Sequence, residues 1–446
     1  MDRRNFLRGG VALATGTALA SCGGGGGGND AETSGLTSID ADSQASTTAQ
    51  TPLTPPAQPK ARVIVIGGGM AGVTAAKYLR QWGDGVDVTL VAQSPTYTSC
   101  ILSSLVLTGQ RTLSSLEFGY AVLRDRYGVR MVFDTVTRID PVTARVTLAS
   151  GGVLAADRIV LAPGIDFDAV AGLTDPLAMP HAWKAGPQTT VLARQLADMP
   201  PTGVAVLTIP KAPYRCPPGP YERACLLADW MRIHKPGGKL IVLDANPDFV
   251  AEKDNFGRAF FDLHARVIEY RTNVIIDHVD TASRTLFTDA GAVRGDVVNL
   301  IPDQRAPALV QQSGLANASE GRFAAVDVLS YASTAAPLVH VIGDASATTQ
   351  PKAGHIANQE AKVCADALTR VFAGGVPDPA PVTNSACFST ITMTQASWLQ
   401  AVFQYSPQLR AMQAVPAASG ASNGWNGDHF EDMTRWFGAL MADSFA

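Results

Sequence analysis

Apolar and polar positions divide the folded part of the chain into alternating strands and helices, and the first of these units carries a glycine turn. Residues 61–66 read ARVIVI, a β-branched run that predicts a buried strand. Gly67, Gly69 and Gly72 follow with the spacing G-x-G-x-x-G, and helical periodicity begins directly after them. A strand, a glycine turn and a helix N-terminus bind pyrophosphate, because backbone N–H groups and the helix dipole face the anion. The pattern therefore predicts a dinucleotide-binding domain.

Three later apolar strands end at residues suited to the same nucleotide. An acidic residue that binds the ribose is expected after the strand DVTLVA, but Gln93 stands there and is expected to hydrogen-bond instead. RIVLAPGID closes on a glycine turn at Gly164, and LVHVIGDAS contains Asp344 after a glycine. Flavoproteins with two dinucleotide domains close their FAD domain with such strands, and the aspartate meets the ribityl chain. Lys352 and a helix starting near Gly354 are expected to direct positive charge towards the flavin.

The next domain begins with a similar apolar strand but lacks a glycine fingerprint. Its sequence, GVAVLTIPKAPYRC (residues 203–216), has prolines where glycines would be needed. Proline offers no backbone N–H and does not tolerate the close approach of a phosphate. We therefore predict that nicotinamide nucleotides do not bind there and that the electron donor is another compound.

These patterns predict an α/β fold with two Rossmann-like dinucleotide-binding domains, and the resemblance to flavoproteins with two such domains implies the glutathione-reductase-like kind with a C-terminal α+β domain. The FAD-binding domain is expected to comprise residues 61–175 and 290–380. Residues 176–289 are expected to form an inserted second domain without an NAD fingerprint. Residues 381–446 are expected to form the C-terminal domain.

The first residues have the features of an export signal. Residues 1–21 carry paired arginines at positions 3 and 4 and an apolar run too short to span a bilayer. The arginines resemble the signal of the twin-arginine route, and Leu-Ala-Ser-Cys resembles a bacterial lipobox in which Cys22 is lipidated. A plain cleaved signal is the alternative. Residues 22–60 are rich in Gly, Ser, Thr and Pro, contain no aromatic residue, and predict a flexible tether. We expect a periplasmic protein, held at a membrane if Cys22 is lipidated.

Composition and net charge limit the classes of molecule that the protein is expected to bind. With 46% hydrophobic and 17% charged residues the chain is globular, and a net charge of −4 without a basic stripe argues against nucleic acid. The mild acidity suits a cationic redox protein better. No Cys-x-x-Cys-His motif occurs, so we expect no c-type haem on this chain, and no metal site is predicted.

Seven stretches across the folded body resemble one family, the flavoprotein subunit of flavocytochrome c sulfide dehydrogenase, a relative of sulfide:quinone oxidoreductase. They are TYTSCILSSLVLTGQRTLSSLEFGY, MPHAWKAG, PYRCPPGPYERA, VVNLIPDQRA, HVIGDAS, PKAGHIANQEAKV and NSACFS. Because the stretches are spread over the whole folded body, the resemblance does not rest on a single shared motif.

The resemblance implies roles for three cysteines. In the family, a cysteine in the first stretch bonds covalently to the flavin, and the matching residue is Cys100. A redox-active disulfide joins a cysteine before the Pro-Pro-Gly-Pro turn to one in the last domain, and the matching residues are Cys216 and Cys387. A purely structural disulfide between those two is the competing interpretation. Cys225 and Cys364 lie on helical patterns among apolar neighbours and are expected to pack as small hydrophobes.

The implied activity is oxidation of hydrogen sulfide to sulfur or polysulfide. Hydrosulfide attacks the disulfide, the released thiolate donates an electron pair to FAD, and electrons pass singly to a c-type cytochrome, either a separate subunit or a soluble protein. Glu222 is our candidate proton acceptor, with a helix-capping role as the alternative. Two other functions remain open: sulfide:quinone oxidoreductase, and a non-catalytic flavoprotein that supports sulfur transfer. A quinone reductase needs an amphipathic membrane-inserting end, and the acidic residues near the C-terminus argue against one.

Overall fold

A computed structural model describes residues 52–446 of the chain. The predicted signal at residues 1–21, Cys22 and the tether up to residue 51 lie outside the described residues. Residues 52–60 contain no helix or strand. Between residues 52 and 446, none of the helices combines the length and the apolar character needed to cross a bilayer.

The first domain begins with the predicted strand, glycine turn and helix. Its strands between residues 61 and 167 are β1 (Ala61–Ile66), β2 (Val86–Ala92), β3 (Thr96–Thr98), β4 (Glu117–Gly119), β5 (Arg130–Phe133), β6 (Val136–Asp140), β7 (Arg145–Leu148), β8 (Val153–Ala155), β9 (Arg158–Leu161) and β10 (Asp166–Phe167). Its helices in the same range are α1 (Met70–Trp82), α2 (Ser104–Leu107) and α3 (Ala121–Asp125). β1 pairs in parallel with β2 and β9, so its β-branched side chains are buried on both faces of the sheet.

The second domain is built on a four-stranded parallel sheet. Its helices are α4 (Pro187–Asp198), α5 (Gly219–His234) and α6 (Lys253–Arg258), followed by a π-helical turn (Ala259–Leu263). Its strands are β11 (Val204–Ile209), β12 (Lys239–Asp244), β13 (Ile268–Arg271), β14 (Ile276–Asp280), β15 (Thr285–Thr288), β16 (Gly291–Arg294) and β17 (Val297–Asn299). The parallel sheet has the order β13-β12-β11-β17, and β14 to β16 form a separate antiparallel sheet.

The chain then returns to the first domain. The returning elements are β18 (Gln304–Arg305), α7 (Ala308–Gln312), β19 (Ala324–Asp327), β20 (Ala332–Ser333), β21 (Val339–Val341), β22 (Ser346–Ala347) and α8 (Gly354–Phe372). They complete an eight-stranded sheet of order β22-β19-β20-β21-β9-β1-β2-β5. The predicted return at residue 290 falls earlier than the observed one. β16 pairs with β15 and β17 with β11, so residues up to 299 belong with the second domain. A short apolar strand such as β17 carries no sequence signal for which of two sheets it joins.

The C-terminal domain combines an antiparallel sheet with one long helix. Its elements are β23 (Val382–Thr390), β24 (Ala396–Ser406), β25 (Ala411–Ala414), β26 (Gly420–Ala421) and α9 (Gly427–Phe445). β23 and β24 form a hairpin that lies against α5 and α8, so it contacts both preceding domains. The predicted α/β fold with a C-terminal α+β domain is confirmed.

Candidate active site

A single cavity of about 710 Å³ is lined by residues of all three domains. Its volume lies in the range of small-molecule and cofactor sites, roughly 300–1,000 Å³. The lining includes nine of the eleven residues singled out from the sequence: Gly67, Gly69, Gln93, Cys100, Gly164, Cys216, Glu222, Asp344 and Cys387. Gly72 and Lys352 lie outside this lining. Within residues 52–446, no group of three or more His, Cys, Asp or Glu side chains is arranged to hold a metal ion.

The glycine turn forms one wall of the cavity. Gly67 has φ +114°, a conformation that favours glycine, and a β-carbon there would lie 2.2 Å from the Ala162 carbonyl oxygen. A β-carbon on Gly72 would lie 1.8 Å from the Gly67 carbonyl oxygen, so Gly72 lets α1 pack against the turn. Gly69 caps α1 and lines the cavity together with Met70, which brings the helix N-terminus to the wall. This arrangement suits a pyrophosphate.

Asp344 lines the cavity, and one oxygen of its carboxylate lacks a hydrogen-bond partner among the described residues. It lies in a 3-10 turn (Gly343–Ala345) after β21, and its buried Oδ1 has no hydrogen-bond partner among the described residues. Burial raises the pKa of Asp344, and the charges of Arg215 and Lys352 oppose that rise. Because buried polar atoms are almost always satisfied, this oxygen calls for a donor from a ligand. The ribityl hydroxyls of FAD are such donors, so the residues present fit the predicted cofactor.

Lys352 forms hydrogen bonds to two segments of the cavity wall, through its ammonium group and through its backbone carbonyl oxygen. Its Nζ donates to the carbonyl oxygens of Asp344 at 2.9 Å and Ser346 at 2.6 Å. Its own carbonyl oxygen accepts the N–H of Cys216 at 2.6 Å. Lys352 therefore ties the Asp344 turn to the Cys216 loop. The positive helix end predicted beside it is present, because α8 begins at Gly354 in the cavity wall.

Cys100 lies on the loop between β3 and α2. Its half-buried thiol sulfur accepts the N–H of Ala185 at 3.4 Å, and it lines the cavity on the same side as Lys184 and Ala185. These two residues belong to the stretch MPHAWKAG, to which the sequence assigned no role. The structure thus places that stretch against the cysteine predicted to hold the flavin.

Cys216 and Cys387, distant in sequence, line the same cavity as half-buried thiols. Cys216 has φ +59°, which is uncommon for a residue other than glycine. Its carbonyl oxygen accepts the N–H of Gly219 at 2.8 Å, and a β-carbon on Gly219 would lie 2.8 Å from the Cys216 sulfur. Cys387 lies in β23, opposite Leu399 of β24. The proline-rich turn and the hairpin therefore supply one cysteine each.

The two thiols interact electrostatically. Burial raises the pKa of Cys387 to about 12, with Glu252 adding to the shift. Burial also raises the pKa of Cys216 well above its usual range; negative charge on Cys387 and Glu222 adds to this, and Arg215 opposes it. Two thiolates side by side are therefore strongly disfavoured in this cavity. A disulfide, or one thiolate beside a neutral partner, avoids the conflict.

Glu222 occupies the first turn of α5 and reaches the same cavity. Its Oε1 accepts the Thr390 hydroxyl at 3.1 Å, three residues beyond Cys387 on the hairpin. Burial raises the pKa of Glu222 to about 7, and the hydrogen bonds from Thr390 oppose the rise. A carboxylate with a pKa near neutrality exchanges protons readily at physiological pH.

Arg223, the neighbour of Glu222, is a site residue that the sequence analysis missed. It is 1% exposed, and its guanidinium lies 4.7 Å from the centroid of the Trp183 ring. It donates to the carbonyl oxygens of His181 at 3.1 Å and Ala182 at 3.0 Å, and so holds the MPHAWKAG loop in the cavity wall. The only sequence signal was a charged residue directly before the apolar helix positions 224–228.

The place where the second domain would bind a nucleotide is filled by protein side chains. Asp244 ends β12, where a dinucleotide domain carries its ribose-binding acid. It is fully buried, and its Oδ2 accepts the hydroxyls of Tyr221 at 2.7 Å and Tyr270 at 2.8 Å. The Phe249 ring lies 5.1 Å from Tyr221 and 4.8 Å from Tyr270. The two tyrosine hydroxyls therefore bind the carboxylate that would otherwise bind a ribose.

The C-terminal helix α9 packs its apolar face inward. Phe437, Leu440, Met441 and Phe445 are 3–6% exposed and join the core of the first domain. The Phe445 ring stacks on Tyr97 at 5.4 Å. The helix also contributes to the cavity wall through another aromatic residue, Trp436.

Comparison with protein families matches two parts of the chain. Residues 61–178 match the pyridine nucleotide-disulphide oxidoreductase family, and residues 189–302 match the central part of the sulfide dehydrogenase [flavocytochrome c] flavoprotein chain. These segments are the start of the first domain and most of the second. The match to the second domain covers the Cys216 loop and Glu222.

Individual relatives point the same way. Over 45 residues the chain is 42% identical to the flavoprotein chain of sulfide dehydrogenase [flavocytochrome c] of Chlorobaculum thiosulfatiphilum, covering 10% of this chain and 94% of that sequence. Over 102 residues it is 28% identical to the sulfide-quinone reductase of Aquifex aeolicus, which is 23% of this chain and about a quarter (24%) of that protein. The solved sulfide:quinone oxidoreductase of Aquifex aeolicus superposes with a TM-score of 0.70 at 17% identity, over 86% of this chain and 91% of that one.

Proposed function

Because this chain belongs to the family of the flavocytochrome c sulfide dehydrogenase flavoprotein chain, we propose that it oxidises hydrogen sulfide with FAD and passes the electrons to a c-type cytochrome. The observation that carries this proposal is the shared cavity, in which the dinucleotide turn and Asp344 lie with Cys216, Cys387 and Glu222. A binding wall for a flavin and a pair of thiols beside a proton acceptor are the parts that two-electron sulfur chemistry requires.

The chain's own residues provide the flavin site. Gly67, Gly69 and the N-terminus of α1 would bind the pyrophosphate, and Asp344 would accept hydrogen bonds from the ribityl hydroxyls. Gln93 serves the adenosine ribose in place of an acid. Bound FAD supplies a two-electron acceptor that returns electrons one at a time.

The sulfur chemistry belongs to the cysteine pair. Hydrosulfide attacks a Cys216–Cys387 disulfide; a new sulfur–sulfur bond forms to one cysteine as the old bond breaks, and the other cysteine leaves as a thiolate. In the net reaction hydrosulfide loses two electrons and one proton and becomes zero-valent sulfur, released as sulfur or polysulfide. Arg215, whose charge opposes the raised pKa of Cys216, stabilises that thiolate.

The proton goes to Glu222. Its carboxylate lies in the cavity with both cysteines, and its pKa of about 7 leaves it partly ionised at neutral pH. The Thr390 hydroxyl that donates to Oε1 keeps the carboxylate in position. Glu222 is therefore a catalytic base on this proposal rather than a helix cap.

The proposed sulfide dehydrogenase and a sulfide:quinone oxidoreductase differ in the molecule that accepts the electrons. A quinone reductase takes its acceptor from a membrane, and the apolar residues near the C-terminus are the candidate insertion surface. In this chain Phe437, Leu440 and Phe445 are packed into the first domain. That packing favours a water-soluble acceptor such as a cytochrome.

The acceptor assay tests this function. We expect sulfide-dependent reduction of a c-type cytochrome by the purified protein at least about tenfold faster than reduction of a short-chain quinone, because α9 offers no apolar docking face. Both rates are followed by acceptor absorbance at equal acceptor concentration. Faster turnover with the quinone, in detergent or lipid, would favour the quinone reductase instead.

We further propose that Cys100 holds the flavin through a thioether, since it lies in the cavity wall with an N–H donor on its sulfur. Acid precipitation should leave the flavin on the native polypeptide and release it from Cys100→Ser. The matched control, Cys364→Ser, changes a fully buried cysteine away from the cavity and should keep the flavin attached. Release of flavin from the native protein would show that Cys100 only lines the site.

A further inference from the structure

The strand that carries Cys387 is held from one side by polar groups of the second domain. Thr390 donates to Glu222, the His264 ring lies 2.8 Å from the Ile391 carbonyl oxygen, and Met393 donates its N–H to Asp229 at 2.9 Å. One more group of that domain, Glu252, reaches the hairpin closest to Cys387. The first domain also contacts the hairpin, where Ala386 donates its N–H to His355 at 3.0 Å, so both domains hold the strand and the second domain holds the end that follows Cys387.

Glu252 uses both carboxylate oxygens on the hairpin. Ser389 Oγ donates to Oε1 at 2.5 Å, and Ser397 Oγ donates to Oε2 at 2.5 Å. Ser389 of β23 and Ser397 of β24 lie directly opposite each other in the sheet, and both are fully buried. One carboxylate thus bridges the two strands of the hairpin. We call this contact the Glu252 clasp.

The backbone of the residue that makes the clasp is in an unfavourable conformation. It has φ +45° and ψ +41°, a left-handed conformation that is unfavourable for any residue with a β-carbon. The carboxylate is also largely buried, and burial raises its pKa despite three side-chain hydrogen bonds from Ser389, Ser397 and Asn255. A strained backbone and a buried acid persist only where the surrounding structure requires them, and such outliers cluster at functional sites.

We propose that Glu252 is a positioning residue that sets the place of Cys387 relative to Cys216 through Ser389 and Ser397; this inference rests on the proposed function. Side chains two positions apart in a strand lie on the same face, so the clasp at Ser389 fixes the strand position from which Cys387 extends. Glu252 and Cys216 belong to the same domain, whereas Ser389, Ser397 and Cys387 belong to the hairpin. Removing the clasp leaves the hairpin free to shift, and the effective concentration of one thiol near the other falls.

The test is the reduction potential of the cysteine pair in the flavin-loaded protein. The protein is equilibrated without oxygen in glutathione buffers, free thiols are alkylated, and the Cys216–Cys387 disulfide is quantified by peptide mass spectrometry. In Glu252→Ala, which has no group that can bind either serine, we expect the equilibrium constant for disulfide formation to fall roughly tenfold, since small displacements of reacting groups are costly. That change corresponds to a potential about 30 mV less negative.

Two further variants separate positioning from stability. Glu252→Gly also removes the clasp but suits the left-handed backbone, so we expect the same shift in potential with a smaller loss of thermal stability. Glu269→Gln changes an exposed glutamate paired with Arg271 in the same domain and should leave the potential unchanged. A native potential in both Glu252 variants would overturn the inference. Absence of the disulfide in the native protein would instead overturn the proposed function.

Discussion

Replacing Cys387 with serine should abolish sulfide oxidation while the flavin stays bound. Cys387 and Cys216 line one cavity, and on the proposed mechanism they form the disulfide that hydrosulfide attacks, so loss of either cysteine should remove that reaction. We expect the rate of flavin reduction by sulfide to fall by at least about three orders of magnitude, as for other groups that act together. Anaerobic stopped-flow absorbance measures this rate, and the flavin spectrum of the resting protein shows that the cofactor is retained.

Cys225→Ala is the matched control for that experiment. Cys225 lies on α5, in the helix that follows the Cys216 loop, but it is fully buried and outside the cavity lining. Its replacement should change the rate of flavin reduction less than about threefold, because a small apolar residue substitutes for a buried thiol. A Cys387→Ser protein with undiminished function would contradict the cysteine-pair mechanism and favour the sulfur-transfer alternative, which needs only one thiol.

With each rate expressed per concentration of hydrosulfide ion, Glu222→Gln should lower the rate of flavin reduction about 100-fold at neutral pH and remove its pH dependence. Burial raises the pKa of Glu222 to about 7. A base is active when ionised, so the native rate should rise as pH increases through about 7 and then level off. The amide cannot accept the proton at any pH, which leaves a low rate without that rise. Stopped-flow measurements from about pH 5.5 to about pH 8.5, roughly 1.5 units on either side of the pKa of Glu222, follow the profile.

Thr390→Val provides the companion measurement. The Thr390 hydroxyl donates to Glu222 and lowers its pKa against the effect of burial. Without that hydroxyl the pKa of Glu222 should rise, and the rising limb of the pH profile should move to higher pH. An unchanged profile in both variants would mean that another group takes the proton and that Glu222 serves α5 as a cap.

Local patterns predicted the strand, the glycine turn and the helix that line one wall of the cavity. The β-branched strand, the glycine turn and α1 appear where periodicity and glycine spacing placed them, because all of that information lies within about 25 consecutive residues. Asp344 likewise follows a short buried strand and reaches the cavity. Lys352 differs, since its ammonium group binds backbone carbonyls and lies outside the cavity lining.

The other residues of the site come together through contacts between segments that are distant in sequence. Cys216 and Cys387 were linked only through the family resemblance, because no local pattern relates a proline turn to a strand in another domain. Arg223 and Glu252 were missed because a charged residue is ordinarily exposed, and their burial follows from packing between domains. The acidic residues near the C-terminus argued against a membrane-inserting end, but the sequence did not show that the apolar residues of α9 pack on the first domain.

The most direct test of sulfide oxidation by this protein is an anaerobic titration of its flavin absorbance, first with sulfide and then, in a separate sample, with NADH. We predict that sulfide bleaches the flavin at one equivalent, because a single cysteine pair serves a single cofactor. NADH should leave it oxidised, because the aromatic cluster around Asp244 fills the second nucleotide position. A flavin that NADH reduces and sulfide does not would contradict the account.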